Sequence, residues 1–476
     1  MTVGGAAHRS PSTAASLAAA SLTSPPLLPL TISLLYAAAA HAFQAAWHDA
    51  RWWPDADLWR AIGGRLGVLL LAAVGARGGG GTGGEGGGGT SSSSANTNTG
   101  TRISISISTG VTTAVTTAIS AYLIRRTRRL LVQGPQRTTL SGQSLRGRVV
   151  LVTGANGGIG YETARQLYEA GATMVLGCRS EERARGAMGR ILASSDTADD
   201  DDDGSSDGKN GSKGRLIYLP LDVSSLESVR RAADLLQTSI LPSLPGRRRS
   251  RPRLDVLVLN AGVMMSERRE SVDGHEMMMA ANHLGHFLLA NLLLPSMRRE
   301  AVDGDDDDDP GPARIVVLTS STYALAASQG GIDLDDLQCC RKKYTMFGQY
   351  AQSKLANILF VRELTRREEE VKEEERRVRA FGVHPGLVRT DVVRNMPWYL
   401  RYPNAVFGFA VAALQKTPAA GAWTTVYCAT SDDVLDDPSG SYYANSRRVA
   451  VEDFANDGEA ALKLWRLSEK LVGLKR

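Results

Sequence analysis

Short apolar runs alternate with helix-length amphipathic segments from Gly147 onward, the order expected of a parallel sheet wrapped by helices. RVVLVTG (148–154), TMVLGC (173–178), RLIYLPL (215–221), LDVLVLN (254–260), ARIVVLTS (313–320) and RVRAFGVHPG (377–386) predict six strands, and GSYY (440–443) a short seventh. Their nearly unbroken apolar character fits strands buried on both faces. The expected fold class is α/β, a doubly wound parallel sheet. Charged inserts at 196–214, 244–252 and 303–312 fall where a helix hands over to the next strand, so they read as solvated loops. RREEEVKEEERR (366–377) reads as an exposed helix end laced with opposite charges.

Before residue 134 the pattern is different. The segment 1–133 is Ala/Ser/Thr-rich, with no acidic residue until Asp49, and contains the Gly/Ser linker Arg77 to Thr101. Leu27 to Trp47 carries no charge apart from His41, and Ile103 to Ile124 none at all. About 20 apolar residues suffice to span a bilayer, so either stretch is a candidate membrane anchor. The basic run Arg125 to Arg129 suits the cytosolic flank of such a helix. The competing reading of this acid-poor region is a disordered or organelle-targeting leader, against which its few arginines count. The expected division is a low-complexity N-terminal region, 1–133, and a catalytic domain, 134–476.

Composition adds exclusions. Basic and acidic residues number 55 and 50, a balance that does not call for a nucleic-acid partner. Cys178, Cys339, Cys340 and Cys428 lack metal-ligand spacing and read as reduced thiols.

Chemistry first shows in VLVTGANGGIGYETARQL (150–167), which joins a strand to a helix through Gly154, Gly158 and Gly160. Such a turn lets a pyrophosphate approach the backbone at a helix N-terminus, where free N–H groups and the dipole favour anions. The fold expectation sharpens to a Rossmann-type dinucleotide site. The second strand ends in GCRS, with Arg179 where an acidic residue would accept the ribose hydroxyls of NAD. A guanidinium there pairs with a 2′-phosphate, which favours NADP over NAD. Position 157 is glycine, so the first turn offers no second basic residue.

Tyr350 and Lys354 stand one helical turn apart in YAQSKLANILF, on one helix face. Taken alone the pair is most simply a solvated face. Read in order with TGANGGIG (153–160), LDVS with Asp222, NAG (260–262), ANHLGHF with Asn282, TSS with Ser321 and HPG (384–386), it resembles the short-chain dehydrogenase/reductase family over 147–476. NHLGHFLL, VHPGLVRTDV and KTPAAGAWTTVYCAT are similar to its retinol dehydrogenase-like branch, which includes WW-domain-containing oxidoreductases. No WW domain is visible in this sequence.

The resemblance implies a tetrad. Tyr350 would be the general acid/base, with Lys354 favouring its phenolate and holding the nicotinamide ribose. Ser321, the second serine of its pair, would stabilise charge on the substrate oxygen. Asn282 would position a helix carbonyl and a relay water. The cofactor would lie along Gly154, Asn156, Gly158, Ile159, Gly160, Arg179, Asp222, Asn260, Ala261 and Gly262, with Pro385, Gly386 and Thr390 near the nicotinamide. Asp222 is expected beside the adenine. His384 is expected to pack beside the Pro-Gly turn, and His283 and His286 lack metal-ligand partners, so no metal is expected.

The stretch 387–414 carries Met396, Trp398, Tyr399, Tyr402, Phe407 and Phe409, which suits a lipophilic carbonyl or alcohol of retinoid, steroid or long-chain aldehyde type. The same residues would equally rest on lipid or on a second subunit, and the resemblance implies a homo-oligomer. An NADP(H)-dependent oxidoreductase is the main expectation. It would be membrane-associated at the endoplasmic reticulum, with mitochondrion or plastid as alternatives, and its catalytic domain would face the cytosol. A non-catalytic NADP(H) sensor or scaffold is the alternative, disfavoured because all four catalytic residues are present.

Overall fold

The computed structural model describes residues 132–137, 140, 144–196, 214–245, 253–300, 311–371, 375–376, 378–388 and 415–474. The candidate anchors 27–47 and 103–124, the linker 77–101, Thr390 and the aromatic stretch beyond Val388 lie outside the described residues, as do most of the three charged inserts.

Ten strands are described: β1 (Val149–Thr153), β2 (Thr173–Cys178), β3 (Leu216–Pro220), β4 (Val256–Leu259), β5 (Arg299–Glu300), β6 (Arg314–Leu318), β7 (Glu375–Arg376), β8 (Arg379–His384), β9 (Tyr442–Ala444) and β10 (Arg447–Val449). Eight of them form one sheet in the order β10-β9-β8-β6-β4-β1-β2-β3, parallel except where β10 returns antiparallel along β9. β1, β4 and β6 are buried along their whole length, which is why they read as unbroken apolar runs. Strand order reverses between β1 and β4, and the crevice beyond their carboxyl ends is the usual ligand position of such a sheet.

The longer helices among the described residues are α1 (Gly158–Glu169), α2 (Glu181–Asp196), α3 (Leu226–Leu235), α4 (Met277–Met297), α5 (Met346–Glu369), α6 (Pro418–Thr430) and α7 (Gly458–Val472). By length and composition α4 would pass for a membrane span, but 83% of its most apolar window is buried within the fold. It is a core helix: Phe287 meets Trp465 of α7 and Phe360 of α5 edge-on, at 4.8 and 5.7 Å between centroids. A π-turn, Ala280–Leu284, interrupts α4 at Asn282. Such turns often mark functional positions.

Two local readings of the sequence need correction. β10 was not foreseen, because Arg447 and Arg448 are exposed and leave no apolar run to read. The charged run 366–377 is not one exposed helix end. α5 stops at Glu369, and Glu375–Arg376 pairs instead with Arg299–Glu300 as a separate two-stranded ladder. Nor are its acids all solvated: Glu368 is 2% exposed, bound to Arg298 at 2.5 Å and to the Val378 N–H at 3.1 Å. Partners from other elements decide that burial, and a charge count along the chain does not show them.

Candidate active site

The glycine-rich turn is a cradle. Gly157 caps α1 in extended backbone without any side-chain cap, and the first turn holds no acidic residue. The N-terminal N–H groups of α1 therefore face the crevice with their partial positive charge uncompensated. Gly158 has φ +57°, a left-handed conformation that costs glycine nothing. A β-carbon at Gly160 would collide with the Asn260 side-chain amide and with the Gly154 carbonyl, and one at Gly154 would press on the Ala261 backbone, so the turn closes tightly on the β4 exit.

Thr153 ties these two strand ends together. Its Oγ1 accepts from the backbone N–H groups of Asn260 and Ala261, each at 2.9 Å, while Asn260 Nδ2 donates to the Thr153 carbonyl at 2.8 Å. At the end of β2, the Arg179 side chain is 70% exposed and lies 3.7 Å from Asp222. Asp222 is itself held by the Ser224 N–H and hydroxyl at 3.0 and 2.6 Å.

Deeper in the crevice three of the four tetrad residues converge. Asn282 is fully buried on α4; its Oδ1 accepts from the Val263 N–H at 2.8 Å, and its Nδ2 donates to the Val263 carbonyl and to Ser353 Oγ, both at 3.0 Å. Lys354 Nζ donates to the Leu318 carbonyl at the end of β6 at 3.1 Å and lies 5.5 Å from the Tyr350 ring centroid. Tyr350 also borders a small methionine-rich cluster of Met264, Met278 and Met346. The ammonium and the phenol share a helix face, as their i, i+4 spacing implies.

Their electrostatics differ from the sequence expectation. Burial pushes the Tyr350 phenol up to about 12 and the Lys354 ammonium down to about 8. Desolvation disfavours the charged form of both groups. The phenol is therefore held as a proton donor at neutral pH, while the lysine titrates close to it.

Ser320 and Ser321 have distinct surroundings. Ser320 Oγ accepts from the Thr322 N–H and caps the turn Ser321–Gln329, whereas the Ser321 N–H donates to His384 Nδ1 at 3.2 Å. His384 thus anchors the serine backbone rather than merely packing beside Pro385 and Gly386. Burial, helped by Lys416, lowers it to about 3 and keeps it neutral.

Lys416 is a neighbour the sequence reading did not single out, although it lies in the quoted KTPAAGA motif. Its side chain crosses Gly386, where a β-carbon would meet Cδ at 2.9 Å. Its ammonium donates to Asn445 Oδ1 at 2.7 Å and its N–H to the Leu387 carbonyl at 2.8 Å. Burial lowers it to about 8. Only the KTP motif itself hinted at this residue; its contact with Gly386 spans thirty positions.

A strand–turn–helix dinucleotide cradle beside a Tyr-Lys-Asn cluster, its Asn and Lys buried, defines an oxidoreductase of the nicotinamide-dependent class. Residues 148–200 match the family model for short chain dehydrogenase. Retinol dehydrogenase 14 of Homo sapiens is 37% identical over 364 residues, 76% of this chain and 97% of its own. The Mus musculus protein of that name is 38% identical over 331 residues, 69% of this chain and 87% of its own. WW domain-containing oxidoreductase of Danio rerio is 36% identical over 336 residues, 70% of each chain. A solved Mycobacterium Paratuberculosis protein titled as putative and uncharacterized covers 70% of this chain and 95% of its own at 29% identity, with a TM-score of 0.48. The chain belongs to the short-chain dehydrogenase/reductase family. It is retinol dehydrogenase-like, an oxidoreductase acting on CH–OH donors.

Proposed function

We propose that the chain is an NADP(H)-dependent carbonyl reductase or alcohol dehydrogenase for lipophilic substrates, with Tyr350 as its general acid/base. The observation that carries this reading is the convergence of Asn282, Lys354 and Tyr350 beside the Thr153–Asn260 clasp at the sheet's switch point. The crowded backbone around Gly154, Gly158 and Gly160 fits a pyrophosphate, with Asn156 and Ile159 in the same turn. Asn260, Ala261 and Gly262 line the cleft, and Asp222 sits at the adenine end. Arg179 stands at the end of β2, where it would meet a 2′-phosphate. Pro385, Gly386 and, beyond the described residues, Thr390 would border the nicotinamide.

When bound, the nicotinamide supplies or takes up the hydride. In the reducing direction Tyr350 gives its phenolic proton to the carbonyl oxygen. Ser321 donates a hydrogen bond to that oxygen as charge develops on it. Lys354, titrating near neutrality, restores the proton to Tyr350, and the Asn282–Val263 clamp keeps the lysine end of the site in register.

Apolar surface supports the substrate class. Leu325, Phe347 and Leu387 are 50%, 44% and 56% exposed, and each lies within four residues of Ser321, Tyr350 or Gly386. Exposed apolar side chains so close in sequence to the candidate site residues suit a lipophilic ligand. The relatives are named for retinol, a lipophilic alcohol. The apolar N-terminal stretches and the run Arg125 to Arg129 support membrane attachment with the 134–476 domain on the cytosolic side, and the endoplasmic reticulum is the organelle we propose.

The test is NADPH oxidation by the full-length chain in detergent across apolar aldehydes and ketones, beside Tyr350→Phe and an NADH control. Turnover that needs NADPH and vanishes in the variant is expected. Tight NADPH binding without turnover on any substrate would instead favour the sensor.

A further inference from the structure

His286 lies on α4 one turn beyond Asn282 and is 1% exposed. Its two ring nitrogens face different parts of the site. Nε2 is 3.0 Å from Thr153 Oγ1, and Nδ1 is 3.2 Å from the Asn282 carbonyl oxygen. The tautomer follows from hydrogen-bond inventory. Thr153 Oγ1 already accepts two backbone N–H groups, from Asn260 and Ala261, so both lone pairs are in use. Its single proton goes to His286 Nε2 rather than to the more distant Val258 carbonyl at 3.4 Å. Nε2 is then an acceptor, the ring proton sits on Nδ1, and it is donated to the Asn282 carbonyl.

We infer that His286 is a positioning residue that joins the dinucleotide clasp to the catalytic asparagine, through one hydrogen bond at each ring nitrogen. This rests on the reading of Asn282 as part of the proton-handling machinery beside Lys354. The Asn282 side chain is already bolted to Val263 and Ser353. The Nδ1–H bond adds a hold on its main-chain carbonyl at the π-turn. On the other side, the Nε2 bond sets the rotamer of the Thr153 hydroxyl, and with it the two N–H groups that shape the cleft wall. Lys354 and His283 are the titratable groups whose charge is felt at the ring. With the ring neutral, as burial dictates by lowering it to about 3, the two bonds persist across the working pH range.

Different substitutions separate the two bonds. His286→Asn keeps an amide near the Nδ1 position, His286→Gln keeps one near Nε2, and His286→Phe keeps ring volume and neither bond. The experiment measures NADPH Kd by fluorescence and kcat for carbonyl reduction in the full-length protein, with a Tm for each variant to show that it folds. His286→Phe is expected to lose roughly three- to tenfold in both quantities, the worth of one buried hydrogen bond each. His286→Asn should recover most of the lost kcat but not the affinity. His286→Gln should recover the affinity but not the kcat. A residue that merely fills space would give Asn and Gln variants that fall together in both quantities, and that result overturns the inference, as does a Phe variant equal to wild type. Should the Phe variant not fold, the Asn–Gln comparison alone decides. Should wild type turn over no carbonyl, the proposed function fails separately, and the affinity arm still decides: Gln above Asn supports the link, and equality overturns it.

Discussion

Asn282 and Lys354, 72 positions apart in sequence, meet across Gly262: a β-carbon there would lie 3.3 Å from Asn282 Oδ1 and 3.7 Å from Lys354 Nζ. The first distance is tighter than ordinary packing, and Asn282 Oδ1 cannot retreat without loosening its 2.8 Å bond from the Val263 N–H. Gly262→Ala should therefore lower kcat modestly. Gly262→Val should lower it by roughly tenfold or more, since overpacking of this kind costs about 1–3 kcal/mol. Stability and kcat measured together check this; a Val variant with wild-type kcat would show that the three residues are not mechanically linked.

If Tyr350 and Lys354 act as proposed, their shifts give the two reaction directions opposite pH dependence. Lys354 loses its proton at about 8, while Tyr350 keeps its own to about 12. Reduction uses protonated groups, so its kcat should fall as pH rises through about 8. Alcohol oxidation uses the deprotonated lysine to draw the phenolic proton, so it should rise over the same range. In Lys354→Arg, whose guanidinium stays charged, the transition near pH 8 should vanish along with most of the activity. Flat profiles from pH 6 to 10 in both directions would contradict the assignment.

How much of this was legible depends on distance along the chain. β1, β4 and β6 could be read because burial on both faces leaves a continuous apolar run. β10 could not: its strand is mostly exposed, and it is held by a tight turn at Asn445 and Ser446, both with positive φ and neither a glycine. Tyr350 and Lys354 were legible as a helical i, i+4 pair. The carbonyl that Lys354 binds, at Leu318, was not, nor was the hold of His384 on the Ser321 N–H 63 positions away. The spacing points to Lys354 favouring the Tyr350 phenolate, whereas burial in the fold raises the phenol. Spacing shows that a cation is near, whereas burial, which dominates here, belongs to the assembled fold.

Cofactor choice should turn on Arg179. Its guanidinium is largely exposed, and the 3.7 Å approach of Asp222 is too long for a strong bond. It is thus free to pair with a 2′-phosphate at little cost. Arg179→Glu should raise the KM for NADPH and reduce the NADPH-to-NADH ratio of kcat/KM by about tenfold or more, the worth of a charge-assisted contact. An unchanged ratio would mean that another group selects the cofactor.

Glu276 offers a test of how the site is braced. Its buried carboxylate caps the start of α4 through the Met278 and Met279 N–H groups at 3.0 and 2.8 Å. It also accepts from Gln349 Nε2 at 3.0 Å and Tyr344 OH at 3.2 Å, and Gln349 directly precedes Tyr350. Glu276→Ala strands the Met278 and Met279 N–H groups and leaves Gln349 Nε2 and Tyr344 OH only their second acceptors, the Leu337 and Met265 carbonyls, so a loss of about 2–4 kcal/mol is expected. Glu276→Gln keeps acceptor capacity on one atom only and should lie between. A Tm for the Ala variant within a degree of wild type would show that the brace carries no stability.

Three histidines held neutral, His283 and His286 buried and His384 partly so, should make the fold acid-labile above the range where carboxylates titrate. Burial lowers His283 to about 4 and His286 and His384 to about 3, from 6.5 when unfolded. Between these limits the unfolded chain binds more protons than the native one, so stability falls as pH falls below 6.5. Each histidine contributes at most about 1.4 kcal/mol per pH unit. Glu363, whose partners Arg366 and Arg367 hold it below the ordinary carboxylate value of 4.5, adds its own loss only below that point. Urea midpoints between pH 7 and 5 therefore isolate the histidine contribution. His283 takes no part in the proposed chemistry, and His283→Leu should reduce the slope by about a third. A midpoint that does not move between pH 7 and 5 would mean that these rings are not held neutral.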